Sequence, residues 1–492
     1  MIRTSETAWA RRRRFLKGTV GAAVGIVGGT TLSILGAHDS WARESAARGG
    51  ARTNRGSDYG DVRPVADITG QTVLALPEGF QYATFSKTGE AYAPGLRVAR
   101  NHDGMACFEG ARGIVRLIRN HEMRNPAGDF TLGIEAPLAL RYDAKAMGGC
   151  MTLDFDVARK RLVRQFIGIG GTMVNCAGGY SHRNAGWLTC EETTQGVPNG
   201  FEKPHGYCFL VPASGDSAVS ATPLRAMGRF LREAATADAR GVVYQTEDAD
   251  NTSGFYRFIP NRPDDLRAGR LQMLAIRGNA AANLFTGQTL GARRAVQWVD
   301  IDDPDPQLET GAPGCFAQGR SRGGAAFNRL EGIYRGDDGV SMYFLSTSGG
   351  EKRAANGAGY GQLWRYAPAD PQHRKEDELV LVFESPAGSV LDSPDNLCVT
   401  PSGGILFCED DAIGDADTHP LARGLKEVNR LVGLGRTGEP FTFAVNLLNA
   451  SEFAGACYSP DGQVLFVNIY GDATPGSGMT CAIWGPWERG PL

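Results

Sequence analysis

Val174-Asn175-Cys176-Ala177-Gly178-Gly179 is followed within a few residues by Gly186-Trp187-Leu188-Thr189-Cys190-Glu191-Glu192. The two stretches read as short strands joined by a turn, because brief apolar runs bounded by Gly and polar residues favour paired strands over helices. The first carries a soft thiol. The second ends in two hard carboxylates.

Units of this shape recur down the chain, and an internal repeat outweighs any single motif in deciding a fold. One runs from His102-Asp103-Gly104-Met105 to His121-Glu122, and the stretch quoted above is the next. Others run from Arg232-Glu233 to Glu247-Asp248 and from Arg329-Leu330-Glu331-Gly332 to Ser346-Thr347. The last two run from Asp395-Asn396-Leu397 to Glu409-Asp410, and from Ser451-Glu452-Phe453 to Val467-Asn468. Residues 206–212, 254–260 and 361–368 supply a third strand of common shape, and 378–383 a fourth. The 66 glycines argue against long helices. Six units predict an all-β fold, a six-bladed β-propeller with inserted loops, over a single domain from 74 to 492. A β-sandwich is the alternative, but it gives no reason for polar residues to open each inner strand. In a propeller those openings meet at the central channel.

Convergence of this kind would crowd Cys176, Glu122, Glu191 or Glu192, Glu233, Glu247, Asp248, Glu331, Asp395, Glu409 and Asp410 into one volume. So many carboxylates repel one another unless cations neutralise them. Carboxylates select hard ions such as calcium, whereas a thiolate suits a transition metal such as iron. A lone carboxylate has a plainer reading as a strand-end turn, and a lone Cys as a buried apolar group. Repetition at equivalent places favours the metal site. Arg329 stands two residues before Glu331 and on the same strand face, so it can offer a guanidinium fork to an anion beside a metal ligand.

The ends of the chain and its charge frame this reading. Arg12-Arg13-Arg14-Phe15-Leu16-Lys17 has the twin-arginine pattern, a Gly-rich apolar run follows, and Ser40-Trp41-Ala42 offers a cleavage site. Residues 1–42 are therefore expected to be a twin-arginine signal peptide, and 43–73 a disordered lead-in. The protein is expected to be periplasmic or secreted, with the twin-arginine translocase as its partner during export and no stable membrane anchor. The formal charge of the whole chain is −3. Loss of the basic leader leaves it more acidic, which argues against a nucleic-acid partner. Ten cysteines include no CxxC pair, and few or no disulfides are expected.

At these residues the chain resembles the PhoX-type alkaline phosphatases. The likeness runs from about Leu76 to the C-terminus. Its landmarks are Leu76-Pro77-x-Gly79-Phe80, Asn175-Cys176-Ala177-Gly178-Gly179, Trp187-Leu188-Thr189-Cys190-Glu191-Glu192, Glu247-Asp248 with Phe255-Tyr256-Arg257, Arg329-x-Glu331-Gly332, Pro394-Asp395-Asn396-Leu397 and Ser459-Pro460-Asp461-Gly462. The resemblance implies a six-bladed propeller, export, and a cofactor of iron and calcium. By it, Cys176 matches the iron-ligating cysteine, and Glu192, Glu247 and Glu331 match metal-ligating carboxylates. Glu122, Asp248, Asp395 and Glu409 are further candidate ligands. Arg329 matches the arginine that holds the phosphate of a phosphorylated small-molecule substrate. The expected function is an exported, metal-dependent hydrolase of phosphate monoesters. The alternatives are a calcium-dependent hydrolase of another ester class, such as a lactonase, and a non-catalytic binding propeller, because fold alone does not choose among them.

Overall fold

The computed structural model describes residues 59–352, 358–369, 376–410, 418–435 and 438–492, so the expected signal peptide lies outside the described residues. Six inner strands, His102–Glu109, Asn175–Tyr180, Arg232–Ala237, Leu330–Arg335, Pro394–Val399 and Phe453–Tyr458, each pack against the next, and the last packs against the first. That closed ring makes a six-bladed propeller. Its inner strands open the six repeat units read from the sequence.

Each inner strand pairs antiparallel with its successor, in order Ile114–His121, Gly186–Glu191, Val243–Glu247, Met342–Ser346, Ile405–Glu409 and Leu465–Ile469. The second blade stops at three strands, with Cys208–Pro212 outermost. Arg293–Asp300 pairs with the outer strands of the third and fourth blades and joins them into one nine-stranded sheet. The fourth strand of the sixth blade is Gln81–Phe85, from the other end of the chain, paired with Met479–Trp484. Such closure leaves the ring without a free seam.

Order begins earlier than the composition suggested. Arg63–Val65 pairs with Leu74–Leu76, and both extend the outer edge of the fifth blade. Tyr59 is buried, packs edge-on to Phe80 at 5.2 Å, and donates its hydroxyl to the Trp487 carbonyl at 2.9 Å. The residues that order this segment are distant in sequence, so its own polar composition misleads. Residues 59–73 are therefore part of the folded domain.

Apolar side chains fill the spaces between neighbouring blades, as where Phe255 stacks on Phe344 at 4.3 Å between the third and fourth. All ten cysteines are buried and free, as expected. Near the axis some inner strands approach too closely to admit a side chain between them. A Cβ on Gly104 would come within 2.5 Å of the Ala177 backbone, and one on Gly332 within 2.7 Å of the Asp395 carbonyl. Glycine at those places lets the strands converge. A small axial cavity lies there, lined in part by Tyr180 and Tyr334, whose rings cross edge-on at 6.4 Å.

Candidate metal centre

One backbone hydrogen bond recurs in all six blades. The carbonyl just before each inner strand accepts from the amide just after its partner strand. The pairs are Asn101–Glu122 (3.0 Å), Val174–Glu192 (2.9 Å), Leu231–Asp248 (3.0 Å), Arg329–Thr347 (2.9 Å), Ser393–Asp410 (3.0 Å) and Glu452–Tyr470 (3.1 Å). In four blades the accepting residue is left-handed, with φ of 56° at Asn101, 43° at Val174, 50° at Arg329 and 41° at Ser393. A positive φ is rare outside glycine and costly for a β-branched residue, so strain is held at the same point of several blades.

Immediately after that point the strand register slips in every blade. A bulge of this kind re-aims a side chain. In five blades the second residue of the inner strand falls within the slip, and it is Asp103, Cys176, Glu233, Glu331 or Asp395. The sixth blade has Ala454 there, with Glu452 two residues upstream. The residues just past the partner strands include Glu122, Glu192, Asp248 and Asp410.

These two sets meet. Four groups have ligand atoms within 4.8 Å of one another: Asp103, Glu122 and Cys176; Cys176, Glu192 and Glu233; Glu233, Glu331 and Asp395; and Asp395, Asp410 and Glu452. Successive groups share Cys176, Glu233 and Asp395, so the donors form one continuous arc through the blades. Burial, then the charges of Glu122 and Asp395, pushes the Asp103 carboxyl well above its ordinary range. Burial and neighbouring carboxylates do the same to Glu192, Glu233, Glu331 and Glu452. Asp395 rises to about 6 and Asp410 to about 7, burial again leading. The Cys176 thiol is pushed up by burial and by Asp103 and Glu233. Both oxygens of Glu233 are buried without a hydrogen-bond partner. An orphaned buried carboxylate costs several kcal/mol by typical values, and a bound cation removes that cost. The donor set of oxygens with one sulfur fits hard cations together with one thiophilic metal.

Two arginines stand at the exposed side of the arc. Arg329 donates to both oxygens of Asp248 at 3.2 Å each and to Glu331 at 2.6 Å. Arg124 bridges Glu122 and Glu192, and the Tyr470 hydroxyl donates to Glu122. Burial would weaken the Arg329 charge, but Glu331 and Asp248 override it and hold the guanidinium firmly protonated.

Of the ligands expected from the sequence, Cys176, Glu122, Glu192, Glu331 and Asp395 come together in the arc, and Asp248 lies beside it. Glu247 and Glu409 are not brought into those groups. Each ends a partner strand one residue before the group that faces the arc, and neighbouring strand residues point to opposite sides. Glu247 accepts from the Gly254 amide and the Tyr256 hydroxyl, while Glu409 holds Arg430 and the Asp392 amide. Glu191 has the same role in the second blade, accepting from His205 and the amides of Met173, Gly206 and Tyr207. Asp103 and Glu452 escaped selection as ligands, although each lies at the opening of a repeat unit. Arg124 and Tyr470 carry no sequence signal.

A six-bladed propeller with a multi-carboxylate, thiol-containing centre at its axis defines the class. The chain belongs to the alkaline phosphatase PhoX family, which it matches over residues 57–476. Its structure is similar to that of Pseudomonas fluorescens PhoX in complex with vanadate, a transition state analogue. That likeness has a TM-score of 0.62 at 18% identity, covering 88% of this chain and 98% of the other. Weaker likenesses include a Xanthomonas campestris gluconolactonase (TM-score 0.40, 11% identity, 89% of this chain and 99% of the other). Another is an Agrobacterium tumefaciens regucalcin, a calcium-binding protein (0.37, 10%, 80% and 94%). No curated protein matches the chain in sequence.

Proposed function

We propose that the protein is an exported phosphatase that hydrolyses phosphate monoesters of small molecules at an iron and calcium centre on the propeller axis. Membership of an alkaline phosphatase family supports the reaction class. The observation that carries the site is the bulged ring of Asp103, Cys176, Glu233, Glu331 and Asp395, with Glu233 left unpartnered. Among the described residues, no helix is long and apolar enough to cross a membrane.

Cys176 would hold iron, with Asp103, Glu122, Glu192 and Glu233 around it, and the remaining carboxylates would hold calcium. Multivalent cations so bound polarise phosphoryl oxygens and activate an oxygen nucleophile. Arg329 presents its guanidinium at the rim, with Nη1 left to donate to a phosphoryl oxygen while Nε and Nη2 are held by Asp248 and Glu331. Its grip orients the ester and offsets the charge that develops on the equatorial oxygens. Asp248 and Glu331 keep that guanidinium charged and aimed. The Tyr470 hydroxyl fixes Glu122, while Glu191 and Glu409 fasten the strand ends from which Glu192 and Asp410 project.

Elemental analysis of protein exported in its native compartment, paired with a phosphomonoester assay at alkaline pH, tests this reading. Iron plus calcium with turnover supports it. Calcium alone, with turnover of lactones instead, replaces it with the second hydrolase reading, and absence of bound metal leaves a binding propeller.

A further inference from the structure

We infer that Arg124 is a second phosphate-binding residue, which closes on the substrate from the side opposite Arg329. This rests on the proposed phosphatase function and adds a residue to the same site. Arg124 follows the first blade's partner strand by three residues and reaches across to the second blade, bridging Glu122 and Glu192. Asp248, which holds Arg329, lies close enough to Glu192 to act on its charge. The order across the rim is therefore guanidinium, carboxylate, carboxylate, guanidinium.

Exposure distinguishes these rim groups from the arc beneath them. The Arg124 side chain is 58% exposed and that of Arg329 is 23%, against 11% for Glu192 and for Asp248. Glu233 and Asp103 lie deeper still, with at most 1% of their surface exposed. An anion arriving from solvent thus meets the two guanidiniums before the carboxylates. The contacts with Glu122 and Glu192 both come from Arg124 Nη2 alone, so Nη1 and Nε remain to donate to an arriving anion. A carboxylate-rich centre repels a phosphate dianion, so a cationic fork on each side favours entry as well as grip. The ligand chemistry is a terminal, doubly charged phosphate with three free oxygens to share between the forks.

The test uses metal-loaded protein and inorganic phosphate as the probe. Arg124→Ala is expected to weaken phosphate binding in calorimetric titration by about tenfold or more, with a matching rise in KM and unchanged iron, calcium and Tm. Arg124→Lys keeps the charge without the fork and is expected to fall between. Unchanged phosphate affinity in Arg124→Ala, beside a wild type that binds phosphate and turns over, overturns the role of Arg124 alone. Loss of metal from Arg124→Ala also overturns it, by making the arginine a strut for the carboxylates. A wild type with neither phosphate binding nor turnover overturns the phosphatase reading together with this one.

Discussion

Arg329 donates two hydrogen bonds of 3.2 Å to Asp248, which belongs to the preceding blade, and a third of 2.6 Å to Glu331 in its own. The arginine therefore spans a joint between blades, where its left-handed backbone lifts it out of the strand that carries Glu331. Replacing Arg329 by Ala is expected to lower kcat/KM for a phosphomonoester by ~100-fold or more, the usual effect of removing one preorganised donor. Iron and calcium content should stay near wild type. Steady-state kinetics beside elemental analysis check both halves.

Cys176 supplies the single sulfur of the arc. Cys176→Ser keeps the volume but offers a poor ligand to a thiophilic metal. Iron content is expected to collapse while calcium persists. If the variant keeps its iron and its turnover, the thiol is not a ligand.

Neighbouring carboxylates at one strand end are expected to behave oppositely. Glu409 anchors the largely buried Arg430, so Glu409→Ala should destabilise the fold by ~3–5 kcal/mol, the typical cost of breaking a buried pair. Asp410 faces other acids, and burial has already raised it to about 7. Asp410→Asn should leave the metal-free fold as stable or more so, and lower its calcium content. Thermal melts with and without chelator, read with metal content, separate the two.

His205 sets a pH dependence away from the arc. It is fully buried between Glu191 and Asp143, 2.7 and 3.6 Å away. Burial alone would lower its pKa, but the charge of Glu191, its hydrogen bond to His205 and the nearby Asp143 carboxylate raise it to about 9. A folded-state pKa above the unfolded one gives stability that is complete below ~6.5 and lost as pH climbs through about 9. Wild type should lose up to ~3 kcal/mol across that window, and His205→Gln much less. Denaturant melts from pH 6 to 10 decide it. A variant with the same slope as wild type removes His205 as the cause.

The repeat made the propeller legible, because a polar residue stands at or beside the opening of each inner strand and five of the six partner strands end on one. What the repeat leaves open is phase. Glu191-Glu192, Glu247-Asp248 and Glu409-Asp410 are adjacent pairs, and only the second of each faces the arc or its rim. Their phase follows from the backbone bond to the preceding inner strand, a contact that pairs Val174 with Glu192 and Ser393 with Asp410. Such a contact is visible only once the strands are paired. Asp103 opens a repeat unit beside His102, and only the paired strands show that Asp103 turns to the arc while His102 is buried and bonded to the Ala99 carbonyl. The ring closure was illegible for another reason. Gln81–Phe85 finds its partner, Met479–Trp484, at the far end of the chain.

The central claim is that blades of one propeller jointly hold a cation centre anchored on Cys176. A crystal structure of the protein purified from its native compartment, with anomalous diffraction recorded at the iron edge, tests it most directly. The account predicts an iron peak bonded to Cys176 Sγ, with further cation density between Glu233, Glu331 and Asp395. Clear density for those side chains with no anomalous peak at the sulfur would contradict it.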